Sequence, residues 1–259
     1  LSNKPDATAG SIRFKNNTLT GANDLVVSKV NGTLNFSNTG ITNSKLSGWF
    51  LGDKITANIF SEKQEGKNES ATVVDVASRI EIEKIMKQHN WPWLIYFSGG
   101  SEWRAKIKFP QNWGAGKGHG QLHIESNLSG MDINLPSPLA KNAEEIRTLE
   151  MEFDLSTNEV RQLSMLYGKD ISGVFELENK NNKTSMSRGA INLGSEGVEL
   201  PEKSLFKLSG DLSRIDIDNW ITFSKSQSIM KPEASNLTLL LDADHLHIGK
   251  IKKKKDEIT

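Results

Sequence analysis

The chain has 259 residues, and its 32 Lys plus Arg balance 32 Asp plus Glu, so the formal net charge is zero. A neutral chain carries no global attraction for nucleic acid, and the absence of cysteine excludes disulfide staples, thiolate zinc sites and cysteine nucleophiles. A hydrophobic fraction of 36% suits a sheet that is apolar on one face and wet on the other better than a domain buried on all sides.

Period-two alternation, the signature of a half-buried strand, runs through most of the chain. "GTLNFS" (32–37) puts Leu34 and Phe36 on one face, and "KITANIF" alternates Ile55, Ala57 and Ile59. "SRIEIEKIMKQHN" (78–90) breaks the pattern: Ile82, Ile85, Met86 and His89 follow helical spacing. The aromatic "WPWLIYF" (91–97) comes next, and its Trp91–Pro92 step discourages helix at Trp91. "EWRAKIKFP" sets Trp103, Ala105, Ile107 and Phe109 against Arg104, Lys106 and Lys108. "GQLHIESNL" offers Leu122, Ile124 and Leu128, and "GMDINLP" offers Met131, Ile133 and Leu135. "LEMEFDL" sets Leu149, Met151, Phe153 and Leu155 against Glu150, Glu152 and Asp154. Phe175 and Leu177, then Phe206, Leu208 and Leu212, continue the series, and "NLTLLLDADHLHIG" supplies the last one or two strands. A short helix is expected near Asp218, and a polar loop at 63–70. Roughly a dozen or more short strands between Gly, Asn, Ser and Pro turns predict an antiparallel sheet, sandwich or barrel. No run approaches the ~18 apolar residues of a membrane span. The start at Leu1, without methionine or a signal-like segment, reads as a piece of a longer protein whose anchor or export signal would lie outside it.

Candidate chemistry is sparse. "WGAGKGHG" (113–120) is the most glycine-dense stretch, yet Lys117 is followed by Gly118 rather than Ser or Thr, so it is no Walker loop. The next residues, "QLHIESNL", alternate like a strand, so no helix N-terminus faces a phosphate, and the glycine-rich stretch reads as a connection between strands. His119 with His123, and His245 with His247, lack a third ligand. No Gly-x-Ser-x-Gly elbow occurs, and the carboxylates alternate on wet faces. The basic run at 250–255 reads as a solvated tail. No catalytic residue, cofactor or metal is expected.

Four segments together resemble the YhdP family of AsmA-like envelope proteins of Gram-negative bacteria. The first comprises "GSIRFKNNTL", "KVNGTLNFSNTGI" and "LGDKITANI", and the second is "WLIYFSGGSEWRAKIKFP". The third and most specific is "QLHIESNLSGMDINLPSPLAK" (121–141), and the fourth is "LSGDLSRIDIDNW" (208–220). The resemblance implies a mainly β fold: an elongated, curved antiparallel sheet forming a taco-like groove with an apolar concave face, plus one or two short helices. On this reading residues 1–259 are a fragment of a longer groove domain, with a helical and aromatic insertion at about 78–97. It implies a periplasmic protein anchored in the inner membrane by an N-terminal helix outside this sequence. Its role would be to conduct phospholipids to the outer membrane as a bridge, supporting the outer-membrane barrier, without bond-making chemistry.

The expected partners are therefore phospholipid acyl chains, and membranes through parts beyond this chain. No nucleic acid is expected, and protein partners are not indicated. From alternation, the expected groove lining is Leu122, Ile124, Leu128, Met131, Ile133, Leu135, Leu149, Met151, Phe153, Phe206 and Leu208. The competing expectations are a β-sandwich binding or adhesion module with sealed stripes, an envelope scaffold segment without lipid transfer, and a carbohydrate hydrolase. An open groove separates the first of these from a conduit.

Overall fold

The computed structural model describes residues 9–21, 26–63, 70–88, 92–111, 120–155, 160–180, 183–194, 197–212, 215–216, 218–219, 237–243 and 246–247. The glycine-rich stretch up to His119, His89, Trp91, His245, the basic run 250–255, residues 64–69 of the expected loop, and all but 218–219 of the expected second helix lie outside them.

The alternating segments form strands. In chain order they are β1 (Ala9–Thr20), β2 (Val26–Ser37), β3 (Gly40–Thr42), β4 (Ser44–Phe50), β5 (Asp53–Lys63) and β6 (Ser70–Glu81). A helix α1 (Ile82–Gln88) and a 3-10 turn (Pro92–Tyr96) come next, then β7 (Phe97–Pro110), β8 (Gln121–Ser126) and β9 (Met131–Ile133). The second half holds β10 (Leu149–Asp154), β11 (Val160–Tyr167), β12 (Ile171–Lys180), β13 (Lys183–Leu193) and β14 (Phe206–Leu212). It closes with β15 (Ile215–Asp216), β16 (Leu237–Ala243) and β17 (Leu246–His247).

One open, curved sheet of 15 strands dominates, in the order β1-β2-β4-β5-β6-β7-β8-β10-β11-β12-β13-β14-β16, with β3 on β2 and β9 on β7 off this path. At ~4.8 Å between strands, the path runs roughly 58 Å along the sheet. Pairing is antiparallel up to β13, as alternating hairpins dictate. The last two pairings, β13 with β14 and β14 with β16, are parallel, so the sheet is mixed. A parallel pair needs a crossover, and residues 197–202 provide it over the charged face. Arg188 Nη1 donates to the carbonyls of Pro201 at 2.7 Å and Glu202 at 3.1 Å, and its Nη2 pairs with Glu176 at 2.6 Å. The described part of the crossover between β13 and β14 therefore runs over the charged face and not the apolar one.

One row of partners can be followed from edge to edge of the sheet. Passing from partner to partner, one row reads Phe14, Gly32, Leu46, Ala57, Val76, Ala105, Ile124, Met151, Met165, Gly173, Ile191, Leu208 and Leu239. Each member is apolar or glycine. The neighbouring row on the opposite face carries charge: Asp75, Lys106, His123 and Glu152 are successive partners.

The strand β6 runs further than the sequence pattern predicts. Ser78 and Ile80 keep the alternation and pair with Trp103 and Ser101, so helix begins only at Ile82. The segment "GMDINLP" also departs from a sheet strand. Its three residues β9 pair with the start of β7, and with Lys141 through Ile133, and fold over the sheet, because β7 changes partner there: Phe97 to Gly99 pair with β9, and Gly100 onward with β6. The switch needs Gly99 at φ +76° and Gly130 at φ +87°. A Cβ on Gly130 would lie 2.6 Å from the Gly100 carbonyl oxygen, and one on Gly99 would run into that of Gly130. Gly99→Ala is therefore expected to cost about 1–3 kcal/mol through backbone strain and clash. Urea unfolding measures this, and an unchanged midpoint would show that the fold-over does not depend on this approach.

Candidate functional site

The apolar face is a trough built from three parallel rows. The central row is the one that runs from Phe14 to Leu239. On one side lie Ile59, Val74, Ile107, Leu122, Phe153, Leu163, Phe175, Gly189 and Phe206. On the other lie Ser78, Trp103, Ser126, Leu149, Tyr167, Ile171, Leu193 and Gly210. Rows two residues apart are separated by about 7 Å. Three rows thus make a floor about 14 Å wide, room for two acyl-like chains about 4 Å across.

The third row is roofed. Helix α1, the 3-10 turn, β9 and the "LPSPLAK" segment after it fold over it as a cap. Ile82, Ile85, Leu94, Leu128, Met131, Ile133, Tyr167, Ile171 and Leu193 form one buried cluster, with Leu135, Leu139, Leu149 and Trp103 packed against it. Backbone hydrogen bonds tie the cap down: Asn134 N donates to Tyr96 O at 2.8 Å, and Ile133 and Lys141 exchange bonds of 2.8 and 3.0 Å. Tyr167 Oη donates to Leu139 O at 3.0 Å, reaching from the sheet into the cap. The Arg147 guanidinium stacks 4.1 Å over the Tyr167 ring and donates to Pro138 O and Asp170.

Between cap and floor is a cavity of about 660 Å³ whose lining is almost entirely hydrocarbon. The Ser126 hydroxyl on this face is satisfied locally. Ser126 Oγ donates to Glu102 O at 2.7 Å and accepts from Leu128 N at 3.0 Å. Trp103 Nε1 is buried with no partner.

The sequence-predicted lining residues fall into three groups. Ile124, Met151 and Leu208 lie in the central row, and Ile124 and Met151 line the cavity. Leu122, Phe153 and Phe206 lie in the unroofed row, half-buried. Leu149 is in the roofed row, while Leu128, Met131, Ile133 and Leu135 belong to the cap. Leu128 at 1%, Met131 at 3% and Ile133 at 8% exposure are sealed packing residues with one side to the cavity. In contrast, Val76, Ala105, Ile124, Met151 and Met165 remain half-exposed, so the floor is not closed against a second sheet among the described residues. Pattern reading did not select Val76, Met165, Tyr167 or Leu94, all of which line the cavity. Met165 and Tyr167 could have been found from "LSMLY", where Leu163, Met165 and Tyr167 alternate.

The remaining candidates have ordinary surroundings. His123 sits on the charged face, 3.7 Å from both Glu125 and Glu152. Among the described residues no group of three or more His, Asp or Glu gathers as a metal site, and no helix is long and apolar enough to cross a membrane.

An open apolar trough on one half-wet sheet, with a partial roof, offers a surface that fits long hydrocarbon. The model of the YhdP protein family matches residues 1–255, and the chain belongs to that family. No curated protein and no solved structure matches it. The family is one of the cell envelope, associated with lipid transport and not with catalysis, and membership supports a bridge-like lipid transport role in general.

Lys141 is 3% exposed and donates to Met131 O at 2.8 Å and Asn142 O at 2.7 Å. Burial holds its pKa below the ordinary 10.5, against weaker opposing pulls from Glu145 and Asp132. A neutral amine still offers both hydrogens to those carbonyls. The folded state thus releases its proton at lower pH than the unfolded chain, and stability rises as pH climbs toward 10.5. Measured by urea unfolding at several alkaline pH values, the wild-type chain should gain stability relative to Lys141→Met across that window. A pH-independent difference would contradict this account.

Proposed function

We propose that this chain is a segment of a periplasmic bridge-like protein that conducts phospholipids between the inner and outer membranes along its apolar trough, and so supports the outer-membrane barrier. The observation that carries the reading is the row of apolar residues and glycine that partners hand on from strand to strand, half-exposed at Val76, Ala105, Ile124, Met151 and Met165, in a member of a lipid-transport family. A two-chain phospholipid hides on the order of 30 methylenes, and exposing them to water costs roughly 24 kcal/mol. A continuous hydrocarbon floor removes most of that barrier to crossing an aqueous gap. Backbone polar groups are consumed by the strand ladder, so the tails meet no unpaired backbone donors or acceptors there. The open side leaves headgroups in water.

The lining assigned to lipid contact is the central and unroofed rows, with Ile124, Met151, Leu208, Leu122, Phe153 and Phe206. Leu149 extends that floor beneath the cap, and the cap residues Leu128, Met131, Ile133 and Leu135 cover the tails from the other side.

Native mass spectrometry with lipid extraction on the 259-residue chain tests this. Bound phospholipid is expected. Met151→Asp and Phe153→Asp should each lower occupancy by roughly tenfold or more, because an unpaired carboxylate on the floor is costly to desolvate, while far-UV circular dichroism stays β-rich. Absence of lipid, or full occupancy in both variants, would sink the proposal.

A further inference from the structure

Across the strands β6, β7, β8 and β10 to β14, the apolar face carries one charged side chain among the described residues, Arg161. Register places it there without ambiguity. Arg161 pairs with Leu177 and Leu163 with Phe175, so Arg161 continues the parity of Leu163, Met165 and Tyr167. Leu177 in turn faces Met186 on β13. The guanidinium stem therefore lies in a hydrocarbon neighbourhood, about 7 Å beyond the unroofed row and on the side away from the cap. Its Nε is buried with no hydrogen-bond partner, and among the described residues no carboxylate forms an ion pair with it.

An unpaired cation beside an apolar surface is disfavoured unless a counter-charge arrives. Every other cation and anion of β7, β8 and β10 is turned to the opposite face, where Arg104 meets Asp75 and Glu125. Arginine's planar fork suits an anion with two oxygens, a phosphate above all. From these observations we propose that Arg161 is a headgroup-anchoring residue, which binds the phosphodiester of a phospholipid whose tails lie on the adjacent rows. The proposal rests on the lipid-conduit reading. Its chemistry is that of a phosphate at the water-facing rim, one rung beyond Leu163 and Phe175. The lipid stem reaches the rim there because the cap closes the other side of the trough.

The test compares the full chain with Arg161→Met, which keeps the apolar stem, and Arg161→Lys, which keeps a charge. Three probes are titrated calorimetrically: dihexanoyl phosphatidylglycerol, dihexanoylglycerol with the same tails and no phosphate, and inorganic phosphate. The wild-type chain should prefer the phospholipid over the diacylglycerol by roughly tenfold. Arg161→Met should lose that preference while binding diacylglycerol as before, and Arg161→Lys should restore part of it. A preference that persists in Arg161→Met overturns the proposal. So does inorganic phosphate binding as tightly as the phospholipid in an Arg161-dependent way, which would make the site one for a free anion. Failure of both lipids to bind wild-type protein sinks the conduit reading together with it, whereas equal binding of both lipids to both proteins sinks the anchor alone.

Discussion

The structure depends on keeping strand parity in phase. Side chains alternate strictly along a strand, so slipping any one register by a single residue would swing its charged set into the trough. Between β7, β8 and β10 that slip would put Arg104, Glu125 and Glu150 where Ala105, Ile124 and Met151 now lie. Register shifts do occur, and they are placed where they do no harm. Between β12 and β13 the pairing steps from Glu176 with Arg188 to Leu177 with Met186. The extra residue is Ser187, whose hydroxyl donates to Glu176 Oε1 at 2.8 Å. The bulge absorbs a polar residue and returns Met186 to the apolar face.

A second constraint is topological. Once β13 and β14 pair in parallel, the connecting chain must cross one face of the sheet, and crossing the apolar face would have plugged the trough. Arg188 fixes the choice. It holds the crossover carbonyls and Glu176 together on the opposite face, and the Arg188 hydrogen bond is the chief reason the Glu176 carboxyl titrates below the usual range. Val174 and Ala190, 4% and 1% exposed on that side, show that charged-face positions bury well where the crossover passes.

Much of this was legible in the sequence, and the misses have physical causes. The alternation in "EWRAKIKFP", "QLHIES" and "LEMEFD" sorted residues to faces correctly, because each strand there has one wet side. The strand β6 is harder to read, since "ATVVDVAS" is apolar toward both faces and Ala71 and Val73 are fully buried. In β11, Arg161 interrupts the apolar series at its first trough-facing position. In β13 the Ser187 bulge breaks period two. The cap was beyond pattern reading. Alternation in "GMDINLP" is genuine, yet whether Met131 and Ile133 lie in the sheet or over it is set by the backbone turn at Gly99 and Gly130, a long-range event with no local hydrophobic signal.

Roof and floor make different demands on packing, and the difference bears on how hydrocarbon moves. The cap cluster is close-packed, so its residues hold one arrangement. The floor is half-wet, and its central row mixes small with bulky: Ala57 precedes Val76 and Ala105 precedes Ile124, while Ile124, Met151 and Met165 follow one another before Gly173. A tail displaced by one strand, about 4.8 Å, exchanges one set of methylene contacts for a similar set, so the free energy along the row varies only with small changes in buried area. An enclosed pocket would instead hold its ligand at a single deep minimum. Rows of similar apolar contacts with a roof on one side fix the path of a chain without fixing its position, and Arg161 at the open rim of β11 breaks the lateral gradient there.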